Sequence, residues 1–148
     1  MPLDSDGDPV RGLGFVALNA AYVEEQIDNL LFMLQPVEVF PQVEQRWPVS
    51  RKIEKAKRLV AGLAFEYRDG LLQDLDASKE LFERRNEFIH GRIYGNFDRP
   101  DTLKSGRPNT PDRLIDAAEL YDLANNFAEV RSALYRPMIF QIPRALQG

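Results

Sequence analysis

The sequence predicts an all-α protein, an up-and-down antiparallel bundle of four main helices. Apolar residues recur at three- and four-residue spacing over long stretches, proline or glycine separates these stretches, and no segment shows sustained strand alternation. The chain has 148 residues, of which 44% are hydrophobic and 28% charged, and this is enough to bury a core. We therefore expect a single domain over residues 11–148 and no sheet.

The first half of the chain predicts two helices after an acidic start. Residues 1–10 contain three aspartates and few apolar side chains, so we expect a disordered acidic N-terminal segment. Helical spacing of apolar residues predicts a first helix over residues 12–34, which Pro36 stops. Ser50 is a suitable N-cap for a second helix over residues 50–67.

The second half predicts two further helices. A turn ending at Gly70 precedes a third helix over residues 71–94, which carries a mixture of leucine, phenylalanine and charged residues. Thr110, followed by a proline and an aspartate, has the sequence of a helix start. The fourth helix is therefore predicted over residues 111–135, and Pro137 is expected to end it.

The composition limits the chemistry. The chain has no cysteine, which excludes disulfides and thiolate catalysis, and its single histidine excludes a His-rich metal site within one chain. We expect no metal and no cofactor. The sequence shows neither a long apolar run nor a signal-peptide pattern, so the expected location is the cytoplasm.

The charge is unevenly distributed. The whole chain carries a net charge of −4, whereas residues 84–113 contain seven basic and four acidic residues, a net charge of +3. Local charge governs the field of a site more than the total does. This segment is consistent with a charged surface loop or with a phosphate-binding loop.

Arg85 occupies an unusual position in the third predicted helix. On a helix, side chains three and four residues apart are neighbours. For Arg85 these neighbours are all apolar, namely Leu81, Phe82, Phe88 and Ile89. A guanidinium on an apolar face is costly unless a group outside the helix satisfies it. We expect that group to be a ligand, a partner chain or a carboxylate elsewhere in the fold.

The adjacent Arg84 differs, because Glu80 lies four residues before it and Glu87 three residues after it. Arg84 is therefore interpreted as an ordinary surface residue that pairs with these carboxylates. His90, the only histidine of the chain, lies five residues after Arg85. Asn86 and His90 are four residues apart and are expected to share a helix face.

Arg85, Asn86 and His90, with Gly91 following, form an arginine, a polar residue and a histidine on a late helix of a predicted small bundle. This pattern resembles the HEPN superfamily (higher eukaryotes and prokaryotes nucleotide-binding domain). The resemblance covers six residues, and the rest of the chain agrees in architecture only. It implies metal-independent endoribonuclease activity at the interface of two domains, with these three residues as the catalytic set.

The resemblance also implies partners. These are RNA, a second copy of the chain in a homodimer, and an antitoxin or a nucleotidyltransferase, as expected of a toxin or defence effector. Some toxin members place a tyrosine two residues after the histidine, where this chain has Arg92. The candidate substrate-binding residues are the basic and aromatic side chains that follow His90: Arg92, Tyr94, Arg99 and Lys104.

The chemistry of the residues is compatible with this activity. Histidine transfers protons near neutral pH, and the planar fork of arginine donates two parallel hydrogen bonds to phosphate oxygens. One His90 cannot act as base and acid at once, whereas a symmetric dimer supplies two copies. Cleavage would leave 2′,3′-cyclic phosphate ends.

Three alternatives remain open from the sequence. A helical dimer would bind a nucleotide or a partner protein through the same polar groove without turnover. A structural bundle would pair Arg85 with a buried carboxylate. A histidine near the C-terminus of a helix also interacts favourably with the helix dipole and is often structural.

Overall fold

Four long helices and two short ones form most of the fold. The structure is a computed structural model and describes residues 2–4, 6–95, 100–106 and 108–148. The helices are α1 (Pro9–Met33), α2 (Gln42–Gln45), α3 (Val49–Ala61), α4 (Arg68–Ile89), α5 (Ala117–Phe140) and α6 (Ile142–Gln147). Helix accounts for 67% of the described residues and strand for 7%, which confirms the all-α class and the four main helices.

The core lies between the four long helices. On α1 the buried side chains follow the three- and four-residue spacing that predicted this helix, and they pack along α5. At Gly12 the two helices approach so closely that a Cβ atom would lie 3.0 Å from Leu120 Cβ. The fully buried side chains of the core include Val16, Val23, Ile27, Leu30, Ile53, Val60, Leu71, Leu75, Leu120, Leu123 and Phe127.

The helix directions follow from paired contacts. The expected up-and-down order holds for α3, α4 and α5, because α4 runs antiparallel to both of the others, while α1 and α5 run in the same direction. The contacts that fix these directions are Lys57 Nζ–Asp76 Oδ1 (2.6 Å), Lys79 Nζ–Glu54 Oε1 (3.1 Å), Tyr67 N–Gln141 Oε1 (2.8 Å), the Phe82–Phe127 rings (5.1 Å), the Phe15–Tyr121 rings (5.8 Å) and Arg131 over the Tyr22 ring (4.2 Å).

The N-terminal segment enters the fold earlier than predicted. Asp8 caps α1 by accepting hydrogen bonds from the amides of Val10 and Arg11, so the helix begins three residues before the predicted position. Upstream of it, the Leu3 amide donates to Asn125 Oδ1 at 2.8 Å. The Tyr121 hydroxyl donates to Asp6 Oδ1 at 2.6 Å. The described part of the segment expected to be disordered is thus tied to α5.

The second and third helices also differ from the predicted bounds. Ser50 lies in the first turn of α3 rather than at its cap, and the cap position is Pro48, which provides no side-chain hydrogen bond. The helix ends at Ala61 rather than at residue 67 because Gly62 follows it. The chain then starts α4 at Arg68, three residues early.

The prediction that there is no sheet is wrong. Within the described residues, β1 (Arg92–Tyr94), β2 (Asp101–Lys104) and β3 (Arg113–Ile115) form an antiparallel sheet in the order β1-β2-β3. The third helix consequently ends at Ile89 instead of at residue 94. The inner side of the sheet carries Leu103 and Ile115, which are buried in the core. The burial of these two apolar side chains stabilises the sheet.

The predicted start of the fourth helix is also wrong. Thr110 caps no helix, and the aspartate of its motif, Asp112, instead accepts a hydrogen bond from the Ser105 amide at 2.9 Å across the β2–β3 connection. The helix α5 starts after Asp116, whose carboxylate accepts from the Ala118 amide. At its other end α5 continues through the buried Pro137 to Phe140, so the prediction that Pro137 ends this helix is wrong.

Among the described residues, no helix combines the length and the apolar character needed to cross a membrane.

Candidate functional site

The three predicted catalytic residues lie at the C-terminal end of α4, Arg85 and Asn86 in its last two turns and His90 at the C-cap. Phe82 and Phe88 are each 2% exposed and fix this part of the helix against the core. Arg85 and Asn86 lie between these two anchors and are half-buried, whereas His90 is exposed. The helix thus holds two of the residues at the boundary of the core and presents the third to solvent.

Arg85 is held by a neutral group. Its Nη2 and Nε atoms donate to Asn86 Oδ1 at 2.8 and 3.3 Å, and its Cζ atom lies 4.9 Å from the centre of the Phe82 ring. Burial lowers the pKa of the Arg85 guanidinium from its ordinary value, and the charge of Glu24 partly opposes this shift. Within the described residues the guanidinium forms no ion pair.

Of the four apolar neighbours predicted for Arg85, Phe82 contacts it through its ring. The acceptor on the next residue was not anticipated, because adjacent side chains on a helix point in different directions. The long arginine side chain bends back far enough to reach Asn86. Asn86 thereby fixes the orientation of the guanidinium without neutralising its charge.

A cleft of about 260 Å³ opens beside these two residues. Arg85, Asn86 and Phe82 of α4 line one side, and Glu24 of α1 and Ser50 at the start of α3 line the other. The Glu24 carboxylate accepts a hydrogen bond from Lys52 Nζ at 3.4 Å, so its charge is partly compensated. Glu24 was not predicted to be part of the site, because it approaches α4 through a long-range contact.

His90 ends α4 as its C-cap residue. Its amide donates to the Asn86 carbonyl at 3.1 Å, and in the described part of the chain the imidazole has neither a hydrogen bond nor an ion pair. The backbone of Gly106 packs on the His90 carbonyl so closely that a Cβ atom there would lie 1.8 Å from the oxygen. The cleft lined by Arg85 and Asn86 does not include His90. The backbone of His90 is thus fixed while its ring faces solvent.

The predicted substrate-binding residues fall mainly on the sheet. Arg92 and Tyr94 alternate with Ile93 in β1, and Arg92 pairs with Lys104 in the register of β1 and β2. Arg92, Tyr94 and Lys104 therefore share one face of the sheet. Arg99 lies outside the described residues.

The expected pairing of Arg84 with Glu87 is wrong. Glu87 accepts instead from Arg113 Nε at 2.5 Å, and Arg113 also donates to both carboxylate oxygens of Glu119 at 3.0 Å. The hydrogen bonds that Arg113 donates to Glu119, and next those to Glu87, raise the pKa of its guanidinium. Arg113 thus joins β3 to the last turn of α4 and to the first turn of α5. Sequence reasoning did not identify it as part of the site.

Comparison with known proteins identified no family model, curated protein or solved structure that matches the chain. The site is consequently interpreted from its geometry. It combines a cation held by a neutral acceptor, a cleft beside that cation and an exposed imidazole one helical turn after Asn86.

Proposed function

We propose that the protein is a metal-independent endoribonuclease that acts as a homodimer, as its resemblance to the HEPN superfamily implies. The observation that carries the proposal is the environment of Arg85, a half-buried guanidinium with a neutral partner, on the same helix end as the exposed His90. A half-buried cation whose hydrogen-bond acceptor is neutral remains available to an external anion. The guanidinium fork matches the geometry of phosphate oxygens, which RNA supplies.

The proposed reaction is transphosphorylation. A His90 imidazole removes the proton from a ribose 2′-hydroxyl, and the 2′-oxygen attacks the adjacent phosphorus. The bond from phosphorus to the 5′-oxygen breaks, and a protonated imidazole gives its proton to that oxygen. The products are a 2′,3′-cyclic phosphate and a 5′-hydroxyl. Arg85 stabilises the charge that develops on the phosphorane oxygens, and Asn86 positions Arg85.

The homodimer supplies the second imidazole. Each chain has one histidine, while the reaction needs a base and an acid at the same time. A two-fold interface uses the same surface twice, so two α4 ends that meet near Arg85 and His90 would form one composite groove. We further propose that the enzyme acts in the cytoplasm as a toxin or defence effector controlled by an antitoxin or a nucleotidyltransferase.

One observation favours a second candidate. His90 lies outside the cleft that Arg85 and Asn86 line. A dimer that binds a nucleotide or a partner protein through this groove, without turnover, needs the arginine and the asparagine but no proton transfer.

An oligonucleotide with one ribose in a DNA strand separates the two candidates. The endoribonuclease cleaves this strand only after the ribose, and His90→Asn lowers the rate by about 10²–10⁴-fold while the variant stays folded and dimeric. Mass spectrometry of the products and light scattering check both points. Binding of the strand without cleavage by the wild-type protein would contradict the endoribonuclease and support the binding module.

A further inference from the structure

The sheet has an exposed face, here called the outer face, whose residues are fixed by the strand register. In β1 and β2, Arg92 lies opposite Lys104 and Tyr94 opposite Thr102, and Thr102 in turn lies opposite Leu114 in β3. Side chains alternate between the two faces of a strand. The outer face therefore consists of Arg92, Tyr94, Thr102, Lys104 and Leu114, while the opposite face packs on the core through Leu103 and Ile115.

The outer face combines positive charge with exposed apolar surface. Arg92 and Lys104 are exposed, Tyr94 is 48% exposed and Leu114 is 46% exposed. None of the five side chains is acidic. Lys104 lies 3.6 Å from Asp112, but both side chains are about half exposed, and such surface pairs are weak. The face thus complements a negatively charged partner that also offers a ring to stack on Tyr94.

Several contacts fix this face relative to His90. Arg113 in β3 holds Glu87 and Glu119, which tie the sheet to the neighbouring ends of α4 and α5. At Gly91, between His90 and β1, a Cβ atom would lie 2.6 Å from Leu103 Cδ1 and 2.9 Å from the Lys104 carbonyl oxygen. Strand β2 therefore packs directly on Gly91, the residue that follows His90. A strand of nucleic acid on the outer face would be held at a fixed position beside His90.

We propose that the outer face binds single-stranded RNA and guides it to His90. One base stacks on Tyr94, and the adjacent phosphates pair with Arg92 and Lys104. Stacking on an exposed aromatic ring requires an unpaired base, which selects single strands over duplexes. The identification of the ligand as RNA rests on the proposed function, whereas the basic and aromatic surface is a property of the sheet itself.

The test measures binding apart from cleavage. A fluorescent 2′-O-methyl RNA strand, which has no free 2′-hydroxyl, is titrated with wild-type protein and with Tyr94→Leu. The matched control is Tyr135→Leu, since Tyr135 is 52% exposed on α5 and lies in another region. We expect Tyr94→Leu to weaken binding about 5- to 150-fold and Tyr135→Leu to leave it unchanged, since a stacked base contributes about 1–3 kcal/mol.

The charged residues are tested through salt. The logarithm of the association constant falls as the logarithm of the salt concentration rises. In the double variant Arg92→Gln, Lys104→Gln this dependence should be less steep by about 1.4, because each single-strand phosphate contact contributes about 0.7 to the slope. An RNA duplex should bind more weakly than the single strand. Equal effects of the two tyrosine variants, or equal binding of duplex and single strand, would overturn the proposal. A change in oligomeric state in Tyr94→Leu would overturn it too, because the outer face would then be a protein interface.

These outcomes are distinct from failure of the proposed function. If Tyr94→Leu cleaves RNA and binds the strand as the wild type does, the outer face is not the binding site, whereas the proposed endoribonuclease activity stands. Tyrosine-dependent strand binding by a protein that does not cleave RNA keeps the outer face and removes the endoribonuclease.

Discussion

Two buried lysines of α3 and the half-buried Arg85 of α4 have different kinds of partner. Lys52 is 3% exposed and lies 2.9 Å from Asp28 and 3.4 Å from Glu24. Lys55 is 5% exposed and lies within ion-pair distance of Glu44 and, at 3.2 Å, of Glu38. Each of these lysines has two carboxylate partners.

Arg85, by contrast, has the amide oxygen of Asn86 as its hydrogen-bond acceptor and an aromatic ring as its other close contact. A buried charge that serves stability is normally matched by an opposite charge. The two lysines meet this condition and Arg85 does not. The difference supports the proposal that Arg85 binds an anion from outside the chain, whereas the lysines contribute to the stability of the fold.

The largest expected effect is on cleavage. Arg85→Met keeps a long side chain against Phe82 but removes the charge, and we expect RNA cleavage to fall about 10²–10³-fold. Its thermal stability should equal or exceed that of the wild type, because burial disfavours the guanidinium that is removed. The matched control is the neighbouring Arg84→Met, which should retain cleavage. Equal loss of cleavage in both variants would remove the distinction between the two arginines.

The opposite behaviour is expected at Lys55. Lys55→Met leaves Glu44, which is 16% exposed, without its cation in a partly buried site. Urea unfolding should show a loss of about 1–3 kcal/mol, while cleavage by the folded protein stays near wild type. An unchanged unfolding midpoint would mean that this ion pair does not stabilise the fold and that the comparison with Arg85 fails.

A smaller effect is expected when Arg85 receives a carboxylate of its own. Asn86→Asp replaces the neutral acceptor by a charged one, so the free energy of unfolding should rise by up to about 1 kcal/mol, as a partly exposed ion pair contributes. Cleavage should fall, since the paired guanidinium is less available to phosphate. A variant that is both more stable and equally active would show that the charge of Arg85 is not used.

The helices were predictable where the spacing of apolar residues continues over many turns. The apolar spacing in α1 and α4 identifies both helices, and the errors at their ends amount to a few residues. The sheet was not predictable, because its strands have three or four residues and alternation is not detectable over that length. The helix-start sequence at Thr110 was misleading. Its aspartate, Asp112, accepts a hydrogen bond from the Ser105 amide instead of capping a helix, and the local sequence does not reveal this contact.

The candidate site was predictable only in part. The uniqueness of His90 and the apolar neighbours of Arg85 are visible in the sequence. Glu24 and Arg113 were missed because they reach α4 from α1 and β3, and one sequence carries no signal for such distant contacts. The shared face of Arg92, Tyr94 and Lys104 depends on the strand register, which the sequence does not specify here.

The chemical nature of the RNA ends produced in the presence of a chelator shows whether the protein cleaves RNA without a metal and through Arg85. Purified wild-type protein is incubated with mixed RNA and excess EDTA, and the products are analysed by mass spectrometry beside those of Arg85→Met and Arg84→Met. The wild type and Arg84→Met should produce 2′,3′-cyclic phosphate ends, and Arg85→Met almost none. Cleavage that EDTA abolishes, or the same ends at the same rate from Arg85→Met, would rule out a metal-independent endoribonuclease that uses Arg85.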